Sequence, residues 1–305
     1  MRHAIPSLTH IRHLMADIKI AHSIFALPFA LMASFMAAAP QGTSLDWNRF
    51  AGQLVLIVLA MVFARTAAML ANRLLDMDID AKNPRTQGRA LPSGNLSPRQ
   101  VFLTSMLAAG LFMGTCLLFG VFYDNWWPAM LGIPVLSWIC AYAMVKRFSV
   151  LCHLYLGSSL AISPIAAAIA IQPDSIMSQP ALWLLAGMVL GWVTGFDVIY
   201  ALQDIEVDRE EGLHSLPSKL GMTRALWISR LLHLFAIACL IGAWWVDARF
   251  ETLFAIGIGI VTALLVYEHA TVAKWGTTKM ALAFFTLNGI ISCVLGALGI
   301  ADIVI

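Results

Sequence analysis

Two short acidic runs carry the residues best suited to chemistry. The first reads Asn72-Arg73-Leu74-Leu75-Asp76-Met77-Asp78-Ile79-Asp80, the second Asp204-Ile205-Glu206-Val207-Asp208. In each, two aspartates lie four apart, so on a helix they share one face, about 5–6 Å apart at Cβ. Asn72 is one turn earlier on that face. Like charges at this spacing repel, and at a helix C-terminus the macrodipole disfavours them further. A bound cation removes both penalties. Oxygen-only donors select magnesium before zinc. The competing reading is a solvated acidic loop neutralised by nearby Lys and Arg; the recurrence of the spacing favours a metal on the four carboxylates Asp76, Asp80, Asp204 and Asp208. Asp78 and Glu206 fall two residues out of phase and are assigned to solvent or the periphery.

Magnesium held by few carboxylates usually bridges to a phosphate. Lys82, Arg85 and Arg89 follow the first run, and Lys146 and Arg147 lie in a later loop. As a set they fit a diphosphate; singly, each reads as ordinary loop charge. Two further charges lie inside apolar stretches. Arg65 is flanked by Phe63, Ala64, Thr66 and Ala67. Burying it in a bilayer costs ~2.5–3.5 kcal/mol, which marks it as functional by default. It lies two turns before Asn72, on the same side, where it could hold an anion; the alternative is an ion pair with Asp197 or Glu268. Asp197 lies seven before Asp204.

The elements that position these residues are long apolar helices. Of the 305 residues, 60% are hydrophobic and 12% charged, against a usual ~25% charged. Mean hydropathy is +0.81. A soluble protein of this composition could not cover its surface with polar groups, so the chain is integral to a membrane and all-α. A net charge of +2 gives nucleic acid no electrostatic basis for binding. The five cysteines form no CxxC and read as small core residues. The first apolar run, ending at Ala37-Ala38-Ala39-Pro40, reads as a retained helix rather than a cleaved signal peptide.

Nine spans are expected, near 17–39, 49–72, 98–122, 127–145, 151–171, 181–203, 223–246, 251–272 and 279–302. The loops after even-numbered spans hold Lys82, Arg85, Arg89, Arg99, Lys146, Arg147, Arg209, Lys219, Lys274 and Lys279. The opposite loops hold mainly Asp46, Asp124, Asp174, Asp247 and Glu251. The positive-inside bias puts the N-terminus and both acidic runs in the cytoplasm and the C-terminus outside. The runs are four spans apart, a weak internal repeat of spans 1–4 and 5–8 within one domain over 1–305.

With these motifs in place, the sequence resembles the UbiA superfamily of intramembrane prenyltransferases, nearest the 4-hydroxybenzoate polyprenyltransferases. The resemblance is carried by Asn72-x3-Asp76-x3-Asp80 and by Asn83-Pro84-Arg85-Thr86-x2-Arg89-Ala90-Leu91-Pro92-Ser93-Gly94. It is carried too by Asp197-x2-Tyr200-Ala201-x2-Asp204-x3-Asp208, Tyr142-x3-Lys146 and Ser23-Ile24-Phe25-Ala26-Leu27-Pro28-Phe29. It implies nine helices around a central cavity, in a bacterial-type inner membrane. It implies magnesium, two ions, on Asn72 and the four motif aspartates. Diphosphate contacts are implied from Lys82, Arg85, Arg89, Tyr142 and Lys146, and an aromatic acid near Arg65 and Asn72. The implied partners are a polyprenyl diphosphate, an aromatic hydroxy acid and membrane lipid, with no obligate protein partner.

The expected reaction breaks an allylic C–O bond and attaches the prenyl cation ortho to a ring hydroxyl, for use in quinone biosynthesis. Tyr142, Phe148, Tyr155 and Tyr200 are candidates to face the cation. Asp197 is a candidate base. Two other enzyme readings stand beside 4-hydroxybenzoate: a naphthoate as acceptor, in menaquinone biosynthesis, and a CDP-alcohol phosphotransferase, whose DGxxAR run is missing. An ion or proton transporter is a different class, and it does not explain acidic pairs beside Arg-rich loops.

Overall fold

The computed structural model describes residues 25–40 and 45–305. Helix α1 is Leu27–Ala38, α2 Trp47–Leu75, α3 Met77–Lys82, α4 Pro98–Tyr123, α5 Trp127–Val145 and α6 Cys152–Ile171. Then come α7 Pro180–Tyr200, α8 Ile205–Glu210, α9 Leu216–Leu220, α10 Met222–Val246, α11 Thr252–Trp275 and α12 Asn288–Val304. A π-helical stretch, Ala281–Leu287, leads into α12. No strand occurs among the described residues.

Eight helical segments among the described residues are long and apolar enough to cross a membrane. The shorter α1 is the described part of the expected span at 17–39; the rest of that span, with Ser23 and Ile24, lies outside the described residues. This is an integral membrane protein with the all-helical architecture expected of it, and the other span boundaries fall within a few residues of those read from hydropathy.

Helix α7 is the central post, packed between α6 and α10, while α2 packs on α4 and α1 on α6 and α12. In lipid, apolar burial does not drive helices together, so close contact depends on small residues. Gly187, Gly191 and Gly195 recur every fourth residue along α7. A Cβ on Gly191 would lie 2.8 Å from the Leu232 carbonyl oxygen and 2.8 Å from the Phe235 ring on α10.

Helix ends are closed by polar groups that the bilayer could not supply. Asp302 accepts from the backbone N–H groups of Glu251 (2.8 Å) and Phe254 (2.7 Å) at the start of α11. On the side away from the acidic runs, Arg249 donates to the carbonyls of Met36 (2.8 Å) and Ala39 (2.6 Å) and to Gln179 Oε1 (2.8 Å).

The loops bearing the acidic runs are structured. Leu91 and Leu96 sit in a small apolar cluster with Leu70, Ala90 and Val101, and Ser97 and Gln100 form a capping box at α4. The second loop docks on the first half of the chain, where His214 N–H donates to the Lys146 carbonyl (2.7 Å).

Candidate active site

Both acidic runs sit where a spanning helix gives way to a short one. Asp76 is the hinge between α2 and α3. Between α7 and α8 the chain tightens into a 3₁₀ turn, Ala201–Asp204. The sequence reading took each run as one continuous helix end. The i,i+4 neighbourhood survives the first break: Asn72 Nδ2 donates to Asp76 Oδ2 at 2.9 Å. At the second, a tighter three-residue turn shifts Asp204 from the α-helical phase of Asp197.

A polar cavity of about 170 Å³ gathers Asn72, Asp76, Tyr142, Lys146, His153, Asp197, Tyr200, Asp204 and Asp208. Residues from α2, α5, α6, α7 and α8 thus converge from both halves of the chain. Asp76 is 4% exposed. It accepts from Lys146 Nζ at 2.7 Å and lies 3.5 Å from an Arg147 nitrogen. Arg147 also donates to the Leu75 carbonyl.

Asp204 is gripped by Arg85, Nε to Oδ1 at 3.0 Å and Nη2 to Oδ2 at 2.6 Å, and accepts from Asn83 Nδ2 at 2.9 Å. Burial works against the Arg85 charge, but the Asp204 hydrogen bonds and charge outweigh it and raise its pKa. Arg85 also donates to the Tyr200 hydroxyl at 2.9 Å. Asp80 is buried beside the cavity rather than lining it, bonded to Arg89 Nη1 at 2.6 Å and 4.0 Å from Arg73. Lys82 turns outward to Glu211 at 2.6 Å. Asp78 and Glu206 are exposed, as their phase requires.

A second cavity, about 380 Å³, opens between α2, α4, α5 and α6. Its lining is apolar except for a few groups, chiefly Arg65, Tyr142, Ser159 and Ser163. Tyr142 and Leu156 line both cavities and form their junction. Arg65 Nε is buried with no hydrogen-bond partner. Neither proposed ion-pair partner meets it: Asp197 bonds His153 at 2.7 Å, and Glu268 accepts from Asn288 at 2.9 Å. Tyr200 lines the polar cavity. Phe148 is 68% exposed, and Tyr155 stacks on Trp138 at 4.2 Å.

Sequence reasoning missed His153, Asn83 and Arg73. An ionisable His153 at the start of an apolar span was the available signal. Asn83 opened a quoted motif and Arg73 followed Asn72 in the first acidic run, but neither was given a role, because their partners become visible only in three dimensions.

Comparison with known proteins follows the same lines. A 4-hydroxybenzoate octaprenyltransferase of Nitrosomonas europaea is 30% identical over 226 residues, 74% of this chain and 72% of the relative. One of Nitrosomonas eutropha is 33% identical over 160 residues, so the match spans only 53% of that relative. The apo structure of a UbiA homolog from Aeropyrum pernix K1 superposes with a TM-score of 0.78 at 28% identity, covering 92% of this chain and 98% of that one. A UbiA homolog from Archaeoglobus fulgidus bound to GPP and Mg2+ shares the fold, with a TM-score of 0.69 at 18% identity over 96% of this chain and all of that one. Residues 26–297 match the UbiA prenyltransferase family as a whole, and the chain belongs to that family.

Proposed function

We propose that this protein transfers a polyprenyl group from a polyprenyl diphosphate to an aromatic hydroxy acid, 4-hydroxybenzoate foremost, with magnesium as cofactor. The observation that carries the reading is the meeting of two unlike cavities at Tyr142: one polar and acidic with cations around it, the other apolar with one unpartnered guanidinium nitrogen. An amphipathic lipid diphosphate needs both. The names of the Nitrosomonas relatives support the ring acid. The Archaeoglobus complex supports the donor and the ion.

The donor set fits magnesium. Asp76, Asp204 and Asp208 present carboxylates to one cavity beside the Asn72 amide. Among the described residues no group of three or more His, Cys, Asp or Glu side chains is placed to hold an ion by itself; a hard ion taking one or two carboxylates would need phosphate oxygens to complete its shell. Asn72, Asp76, Asp204 and Asp208, which line the cavity, would hold it; Asp80, bonded to Arg89 beside the cavity, would join them only by leaving that partner. When bound, it neutralises diphosphate charge and makes the diphosphate a better leaving group.

The remaining work falls to the chain. Arg85, Arg89 and Lys146, now paired with the aspartates, offer positive charge at the cavity mouth for diphosphate oxygens. Lys82 lies outside this ring and would reach it only by leaving Glu211. Tyr142, at the junction of the two cavities, is the ring placed to face the allylic cation; Tyr200 has Arg85 over its ring at 5.2 Å and Phe284 against it at 4.1 Å. Arg65 holds the ring carboxylate, and Asp197 receives the ring proton. The apolar lining of the larger cavity keeps water from the cation. Basic residues cluster on the side of the site, which supports a cytoplasmic placement of the site and the N-terminus and an outer C-terminus.

The test is purified protein in nanodiscs with a prenyl diphosphate and a panel of ring acids, with and without magnesium. Prenylated 4-hydroxybenzoate is the expected product. Product from a hydroxynaphthoate alone would move the acceptor to the naphthoate series, and no transfer to any ring would overturn the proposal.

A further inference from the structure

We infer that His153 is the positioning residue that aims Asp197 at the ring substrate; this rests on the prenyl-transfer reading above. His153 is 4% exposed, near the start of α6. Its Nδ1 lies 2.7 Å from Asp197 Oδ2. Its Nε2 accepts the backbone N–H of Leu216 at 3.2 Å. A nitrogen that accepts carries no proton, so the imidazole proton sits on Nδ1 and is donated to Asp197. The ring is thereby fixed from both sides, by the carboxylate and by the first residue of α9.

Asp197 differs from three of the aspartates around it; Asp208, which also lines the cavity with no Lys or Arg partner among the described residues, has no imidazole to aim it. Asp76, Asp80 and Asp204 each have a Lys or Arg partner. Among the described residues Asp197 pairs only with His153, through Oδ2, while Oδ1 has no hydrogen-bond partner and the residue lines the polar cavity. A carboxylate with one oxygen pinned and the other open, and no cation to hold its charge, is suited to accept a proton. The balance is simple. The allylic C–O bond breaks and its electron pair leaves with diphosphate. A ring C–C bond forms, the ring C–H bond then breaks, and its proton goes to Asp197 Oδ1 as the ring regains aromaticity. His153 keeps its own proton throughout and touches no reacting atom.

The second link gives the arrangement its rigidity. Leu216 follows the segment that docks on the first half of the chain, where His214 N–H meets the Lys146 carbonyl at 2.7 Å and Cys152 Sγ meets the His214 carbonyl at 3.5 Å. The orientation of Asp197 is thus set by the docked second loop, through one imidazole.

The experiment compares the parent with His153→Ala, His153→Asn and His153→Gln, using ring acid deuterated ortho to its hydroxyl. The Asn amide N–H projects to the place of Nδ1–H, whereas Gln projects to that of Nε2. For His153→Ala we expect kcat to fall roughly 10- to 100-fold with both KM values within about threefold. A primary isotope effect on kcat, absent from the parent, should appear as C–H cleavage becomes limiting. His153→Asn should restore kcat to within a few-fold and suppress the isotope effect; His153→Gln should behave like Ala. If His153→Ala does not survive purification, the Asn and Gln pair carries the test alone. Parental kcat in His153→Ala or His153→Gln, or a rise in both KM values with no isotope effect, overturns the inference. A parent inactive on every ring acid overturns instead the reading beneath it.

Discussion

Arg85 and Asp204 lie 119 positions apart in the chain, yet they meet in a two-point contact, at 3.0 and 2.6 Å, that joins the first polar loop to the 3₁₀ turn between α7 and α8. The planar fork matches both carboxylate oxygens, which a lysine cannot do. If the same fork serves the diphosphate, Arg85→Lys should lower kcat/KM for the prenyl diphosphate by about tenfold and Arg85→Ala by up to about a hundredfold. Steady-state kinetics with the donor varied would show this, and a parental value for Arg85→Ala would place the diphosphate elsewhere.

Asp76 and Asp204 should each be indispensable. Each is gripped by cations and faces the polar cavity, and no neighbouring side chain replaces its oxygens. Asp76→Ala and Asp204→Ala should abolish turnover, whereas Asp78→Asn, on an exposed side chain, should retain most of it. Activity in the reverse order would refute the placement of the site.

Chelation should silence the enzyme reversibly. Carboxylates this widely spaced do not hold magnesium tightly without phosphate. Activity should vanish in EDTA and return with added magnesium or manganese; full turnover after exhaustive chelation would remove the ion from the mechanism.

Arg65 should matter to the ring acid alone. A charge-assisted hydrogen bond is worth ~1.5–3 kcal/mol, so Arg65→Ala should raise the aromatic KM roughly ten- to a hundredfold and leave the donor KM near the parent value. Arg65→Lys should recover only part. An unchanged aromatic KM would leave the carboxylate of the acid without this partner.

The small-residue face of α7 gives a stability prediction. Gly191→Ala places a methyl 2.8 Å from the Leu232 carbonyl, so α7 and α10 must part. A loss of about 1–3 kcal/mol is expected, and more for Gly191→Leu. Thermal unfolding in detergent would report it, and an unshifted midpoint would mean that the helices part without cost.

Much of this molecule was legible in one dimension, for identifiable reasons. Hydropathy placed spans such as Pro98–Tyr123 and Trp127–Val145 to within a residue, because the bilayer fixes the length of an apolar helix. The spacing of Asn72, Asp76, Asp204 and Asp208 marked residues that now line one cavity. The helix breaks at Asp76 and at Ala201–Asp204 carry no Gly or Pro and were invisible. The pairings were invisible too. His153 meets Asp197 across 44 positions, and Lys82 meets Glu211 across 129. A local pattern shows that a charge wants a partner; only packing decides which partner it gets. The π-helical Ala281–Leu287 is of the same kind, since Asn288 Nδ2 reaches back to the carbonyls of Ala283 (3.0 Å) and Phe284 (3.3 Å).

The size of the apolar cavity bears on how donors are selected. A cavity of about 150 Å³ takes a benzene ring; by that measure 380 Å³ has room for roughly fifteen carbon atoms, about three isoprene units. In the proposed reaction a longer tail would pass out of this cavity into the acyl chains of the bilayer. The described residues then hold no ruler for the far end of the donor, and the length of the finished side chain would follow whichever prenyl lipid the surrounding membrane supplies.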